Sequence, residues 1–301
     1  MAQKRSNLLL WIILGGGALC FFILCMLALA VFYSGQSSPG LSISANQIAS
    51  LELQGVITDS KEFVDQLEDY GKRAGVRAVV IRINSPGGGV AASQEIYEAI
   101  KKFRAETKKK VIVSMASVAA SGGYYVACAS DQIFANPGTI TGSIGVIAEW
   151  YNYGDLLQWA KMQSVVFKSG ELKDAGSPTR PLTKEEKAYF QSLIDNIFSQ
   201  FVSAVADSRD LQEAEVRKLA DGRVFTGQQA KANHLIDEIG TLQDAIAAAA
   251  KLGGIPGTPR ILSPQKKRIS ILDLLLGESR APLFLNSDNS GSHIRFEYLW
   301  R

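Results

Sequence analysis

No charged residue falls between Arg5 and Glu52, and residues 8–33 form one apolar run, LLLWIILGGGALCFFILCMLALAVFY. A spanning helix needs about 20 such residues, whereas the core of a cleaved signal is about 7–15. The run therefore reads as an uncleaved signal-anchor, with residues 1–35 holding a short stub and one transmembrane helix. "ALA" at residues 28–30 has the small-residue spacing of a cleavage site, so removal of the segment is the competing reading. Lys4 and Arg5 precede the run and the next basic residue is Lys61. That asymmetry predicts a cytoplasmic N-terminus and the bulk of the chain on the outer face of the membrane.

The remaining chain has the composition of a globular protein. SGQSSPG (residues 34–40) runs into a linker at residues 36–50, and strand and helix patterns alternate from about residue 51. VRAVVIRIN is β-branched and ends in SPGGG, which marks a buried strand running into a turn. An amphipathic helix follows, with Val90, Ile96, Ile100 and Phe103 near one face. KKVIVSMAS reads as the next strand and QSVVFKSG (residues 163–170) as a later one. Thr183 and Glu186 stand at capping-box spacing before a long helix. Repeated strand–helix–strand units argue for a parallel sheet covered by helices. The tail, residues 255–301, is Pro/Gly-rich and then basic, and reads as a surface-docked or loose extension.

Several chemistries lack their residues. The net charge is only +3, with no basic stripe interleaved with aromatics, so nucleic acid is not an expected partner. The three cysteines, Cys20, Cys25 and Cys128, make no disulfide framework. No HExxH, Cys/His cluster or Walker A pattern occurs, so neither metal nor cofactor is expected. His234 and His293 are the only imidazoles, and both lie far downstream of any serine-rich turn. A Ser-His-Asp triad stays open, because such triads are defined by geometry and not by order.

Two glycine-rich turns remain. INSPGGGV (residues 83–90) and ASGGYYVA (residues 120–127) each place glycines where a strand gives way to a helix. Such turns leave backbone N–H groups uncovered and admit close approach, and two of them aimed at one point make an oxyanion hole. Tight turns that need glycine for steric reasons alone would look the same. FKSGELKDAGSP (residues 167–178) carries Lys168 and Lys173. Lysines in such a loop are ordinarily solvated. A lysine acting as general base at neutral pH would need its pKa lowered by about 3 units from ~10.4, which requires a site closed to water. Ser143, in TGSIGV, offers a hydroxyl that would hold such an amine.

Four blocks, INSPGGGV, ASGGYYVACASDQIFANPGTITGSIGV, FKSGELKDAGSPTRPLTKEEK and DGRVFTGQQAKANHLIDEIG, together resemble the S49 serine peptidases of the signal peptide peptidase A type, short form. The resemblance covers residues 51–254. It implies a crotonase-like/ClpP-like α/β fold of repeated β-β-α units and a Ser/Lys dyad. On that resemblance Ser121 is the nucleophile and Lys173 the general base. Gly88 and Gly122 supply the oxyanion hole, Ser143 positions the lysine, and Lys168 is only a flanking residue. It further implies a bacterial cytoplasmic-membrane endopeptidase that degrades released signal peptides or other unfolded apolar peptides. The resemblance also implies a homo-oligomeric ring whose active sites are shared between protomers. Two alternatives carry the same fold: a crotonase-type acyl-transfer enzyme, which the anchor disfavours, and a catalytically silent membrane scaffold.

Overall fold

The structure is a computed structural model that describes residues 16–17, 19, 21–26, 46–263 and 295–300. The chain divides into two compact units, Met1–Ser44 and Ala45–Arg301. In the first, the described residues are helical. Most of the apolar run at 8–33 lies outside the described residues; among those described, no helix is long and apolar enough to cross a membrane. His293, Lys266 and the ISILDLLLG segment also lie outside them.

The second unit is built on a parallel sheet in the order β10-β1-β2-β4-β5-β9. Its strands are β1 (Gln47–Gln54), β2 (Val76–Ser85), β4 (Lys110–Ala120), β5 (Gln132–Ala135), β9 (Glu238–Ile239) and β10 (Arg260–Leu262). The central strands are apolar on both faces because both faces are covered. Along β2, Val79, Ile81 and Ile83 join the larger core, while Ala78 and Val80 turn to the smaller one. Helices α1 (Lys61–Lys72), α2 (Val90–Thr107) and α5 (Lys184–Arg209) contribute Leu67, Ile100 and Phe201 to the larger core. Helix α8 (Leu242–Leu252) covers the opposite face with Ala245 and Ala249. The capping box read at Thr183 and Glu186 forms at the start of α5.

The sheet forks where the site lies. Its register slips between Ile83 and Ser85, and the end of β4 leaves β5 to pair with β6 (Ile140–Gly142). β6 in turn pairs antiparallel with β8 (Val224–Thr226). Helix α6 (Glu213–Leu219) precedes β8, and α7 (Gly227–Ala232) follows it. A separate three-stranded sheet runs β3-β11-β7, from β3 (Gly87–Gly89), β11 (Arg295–Leu299) and β7 (Ile147–Glu149). The tail thus contributes β10 and β11 to this unit.

Residues 150–183 form an arm with little regular structure. It holds the short helix α4 (Gly154–Trp159) and a 3-10 turn at Glu171–Asp174. Residues 163–170, read from sequence as a strand, form none and are exposed throughout. A β-branched segment becomes a strand only against a partner that takes its hydrogen bonds, and no described segment pairs with this one.

Candidate active site

Sheet register brings the two serines together. β4 and β6 pair in parallel with Ala120 opposite Gly142, so the next residues, Ser121 and Ser143, leave the sheet side by side. The Ser121 N–H donates to the Gly142 carbonyl at 2.8 Å, and the Ser143 N–H to the Arg223 carbonyl at 2.9 Å. Both serines have positive φ, 53° and 52°. Non-glycine residues held there cost about 1–3 kcal/mol and persist only where neighbours over-determine them. Here those neighbours are the two β-type hydrogen bonds and the helix α3 (Gly122–Ala127), for which Ser121 is the N-cap. Tyr124 fixes that helix from below, its hydroxyl donating to the Leu235 carbonyl at 2.8 Å inside the core. Ser121 is only 1% exposed, and its remaining access is to a cavity of about 510 Å³ that Ser143 also lines.

The glycine turn at the end of β2 faces the start of α3. Gly87 has φ +103°, and a Cβ there would lie 1.9 Å from the Tyr298 carbonyl oxygen and 2.7 Å from the Gly122 nitrogen. No side chain fits between those groups, so the sterics demand glycine. Gly88 is held equally tightly, since a Cβ would fall 2.2 Å from the Ile57 carbonyl. The Ser85 hydroxyl accepts the Gly87 N–H at 3.1 Å and locks the turn.

Strand β11 runs antiparallel to this turn, with Tyr298 opposite Gly88 and Leu299 opposite Gly87. Hydrogen-bonded pairs alternate along such a ladder. The Trp300 N–H donates to the Pro86 carbonyl at 2.8 Å, so Gly88 and Tyr298 form the next bonded pair. The Gly88 N–H therefore faces the Tyr298 carbonyl oxygen, which also lies 3.1 Å from where a Cβ on Gly122 would stand. Sequence reading named these two glycines and gave no role to Tyr298. The alternation of aromatics in RFEYLW, at Phe296, Tyr298 and Trp300, was the available signal for a strand.

Lys173 lies elsewhere. It sits on the exposed 3-10 turn of the arm, and among the described residues no lysine lines the Ser121 cavity. Lys168 donates to Asp174 at 2.9 Å and to the Glu171 carbonyl at 2.9 Å. The Asp174 hydrogen bond raises its pKa, which keeps it an ammonium. Arg180 clasps the base of the arm, donating to Glu186 at 2.5 Å and to Asp174. Those bonds hold the buried Glu186 carboxyl down at about 2. His234 is exposed and away from the cavity; its carbonyl accepts from Arg209 at 2.9 Å.

A serine forced into a strained turn beside paired glycines, on a forked parallel sheet, fits a serine-type protease of ClpP-like α/β fold. Comparison with known proteins agrees on both counts. The family model for Clp protease matches residues 46–139, and that for peptidase family S49 matches residues 102–255, a stretch that includes Ser121, Ser143 and Lys173. The chain is 42% identical over 219 residues to a putative protease of Synechocystis sp., covering 72% of this chain and 78% of that one. It is 36% identical over 221 residues to a putative signal peptide peptidase of Enterococcus faecium, covering 69% and 64%. With protease 4 of Salmonella typhi it shares 34% over 232 residues, 74% of this chain but only 37% of that longer one. The chain belongs to peptidase family S49.

Proposed function

We propose that this chain is a membrane-anchored Ser/Lys endopeptidase that degrades released signal peptides and other unfolded apolar peptides. Ser121 attacks the peptide carbonyl, and its oxygen is received by the N–H groups of Gly88 and Gly122. Lys173 takes the serine proton and returns it to the leaving amine, with Ser143 holding the lysine amine in place. The observation that carries this reading is Ser121 itself, strained at φ 53° and opening only onto a cavity beside two glycine turns.

The separation of Lys173 from Ser121 favours a dyad completed by a second copy. The arm bearing Lys173 exposes Phe167 at 95%, Trp159 at 81% and Tyr151 at 79%. Apolar surface on that scale marks an interface. A copy docked there would also exclude water, the condition for lowering a lysine pKa. The homologous signal peptide peptidase of Enterococcus faecium supports the substrate class. The apolar run at residues 8–33 supports a single-pass anchor in the cytoplasmic membrane, with residues 51–254 as the catalytic domain on the outer face.

The test is cleavage of an unfolded apolar peptide by the full chain in detergent. Ser121→Ala and Lys173→Ala each abolish it, and mixing the two inactive proteins restores part of the activity. Near-normal turnover by Lys173→Ala, with loss in a His234→Ala chain, sinks the dyad. Verified mixed oligomers that stay inactive sink the shared site.

A further inference from the structure

The edge of the parallel sheet opposite Ser121 is strongly basic. Strands β10, β1, β2 and β4 run parallel, and Arg260, Gln47, Val76 and Lys110 begin them. Helices α1, α2 and α8 return to this edge and end at Lys72, Thr107 and Leu252. Residues 101–110, KKFRAETKKK, carry six cations and one carboxylate. A cavity of about 460 Å³ opens there, and Lys101, Arg104, Lys108, Lys109 and Lys110 make up five of its seven lining residues. Ser121 follows the far end of β4, eleven residues on, which at about 3.3 Å per residue is about 35 Å away.

Part of this charge holds the fold together. Lys109 donates to the Tyr70, Gly71 and Arg73 carbonyls at 2.9, 2.7 and 2.9 Å and so caps the end of α1. Arg104 and Lys110 share Asp131, at 2.9 and 3.1 Å. The rest has no such task. Lys72, Arg77, Lys102, Lys108, Lys251 and Arg260 are exposed, and among the described residues none of them makes an ion pair. Single cations are favoured at helix ends, but like charges gathered on one edge repel one another unless an anion lies against them. Phe103, the aromatic within the basic run, is buried. The edge therefore offers charge to phosphates and no ring on which a nucleic-acid base could stack.

The chain itself brings an anionic surface close. Strand β1 starts at Gln47, and only residues 34–46 separate it from the apolar run at residues 8–33. A segment of that length spans at most about 45 Å, and it joins the catalytic unit at the basic edge. We propose that this edge docks on the anionic headgroups of the bilayer into which residues 8–33 insert, so that Ser121 opens away from the lipid. The inference rests on the membrane-anchored reading and adds the orientation of the catalytic unit. Each cation held near an anionic surface contributes about a fivefold gain in partitioning, and salt screens the gain over a Debye length of about 8–10 Å. A peptide substrate then has to leave the bilayer surface before Ser121 can attack it.

The experiment uses the full chain reconstituted into vesicles, either of phosphatidylcholine alone or of phosphatidylcholine with an equal part of phosphatidylglycerol. A water-soluble reagent acetylates accessible lysines, and mass spectrometry reads the rate at each one. In the anionic vesicles Lys72, Lys102 and Lys108 react about fivefold more slowly than in the neutral ones. Lys61, at the opposite end of α1, and Lys218 on α6 react alike in both. Raising the salt to about 1 M, where the Debye length is about 3 Å, restores the rates. Lys102→Glu combined with Lys108→Glu releases the edge, and Lys72 then reacts alike in both lipids. Equal rates for the parent chain in the two lipids overturn the proposal; if those rates are also lower than in detergent, a second copy covers the edge instead. Equal slowing at Lys61 and Lys218 overturns it as well, because no one edge is then nearest the lipid. Inorganic phosphate that slows the three lysines in detergent as much as the anionic lipid does marks a site for free anions and overturns the lipid as partner. An alkaline wash tests the anchor separately. A chain that is stripped by the wash, yet was protected before it, sinks the anchor and leaves the docking edge standing; a chain retained with unprotected lysines sinks the docking edge alone.

Discussion

The two halves of the proposed dyad sit in opposite kinds of structure. Ser121 is fixed from all sides: strand register, two backbone hydrogen bonds, a buried helix start and a glycine turn against which no Cβ fits. Lys173 stands on an exposed arm whose only regular pieces are a six-residue helix and a single 3-10 turn. Ion pairs at its base hold that arm, chiefly Arg180 with Glu186 at 2.5 Å and Lys168 with Asp174 at 2.9 Å. The geometry of the proposed nucleophile is set within one chain, as attack tolerates little displacement. The proposed base sits on an exposed turn.

That contrast can be broken by substitution. Ser121→Ala removes the nucleophile and lowers kcat/KM by at least about a thousandfold, with the melting transition retained; peptide hydrolysis and thermal unfolding measure the two. Lys173→Ala gives a comparable loss, yet shifts stability by no more than about 0.5 kcal/mol because the side chain is solvated in the isolated chain. A large stability change in that variant would show that Lys173 is structural. Gly87→Ala places a methyl 2.7 Å from the Gly122 nitrogen in a left-handed backbone, and turnover falls by about 10²–10³, the usual cost of a displaced oxyanion donor.

Smaller effects test the arm. Arg180 holds the Glu186 carboxyl at about 2, below the ~4.3 of a free glutamate. A lowered folded-state pKa stabilises the protein above the unfolded value, and the contribution disappears as pH falls through the folded one. Glu186→Gln therefore destabilises by about 1–3 kcal/mol at neutral pH, and denaturant melts of the two proteins converge as pH falls from about 4 to 2. A deficit that persists at pH 2 would mean the loss is one of packing. Phe167→Asp is the mildest for the single chain, with stability within about 0.5 kcal/mol of the parent. In sedimentation, the proposed oligomer dissociates in the same variant, and an unchanged mass would remove the arm from the proposed interface.

The two glycine turns were legible before the fold was known. Glycines at a strand end with serine beside them form a local pattern, while the expected roles of Ser121, Gly88 and Gly122 came from the resemblance. The long helix behind Thr183 and Glu186 was equally plain, since a capping box is written in four consecutive residues. The strand expected at residues 163–170 was not, because β-branched residues report fitness for a sheet and say nothing of whether a partner strand is present. The tail was the largest gap. RFEYLW carries a strand signal, but a strand's place depends on which edge is free, and the free edges here belong to β3 and β7, more than a hundred residues earlier.

By itself the sequence determined the local terms: the parallel α/β pattern, the glycine turns, the caps and the apolar run at residues 8–33. Only the tertiary structure decided that Ala120 faces Gly142 and sets Ser121 beside Ser143, that the Tyr298 ring packs against Tyr125 and Phe201, and that Lys173 stands apart from both. Turns and caps are settled by neighbours along the chain, whose sterics and hydrogen bonds act within a few residues. Register and pocket filling are settled by groups far apart in sequence, and their energies exist only once the chain has closed on itself.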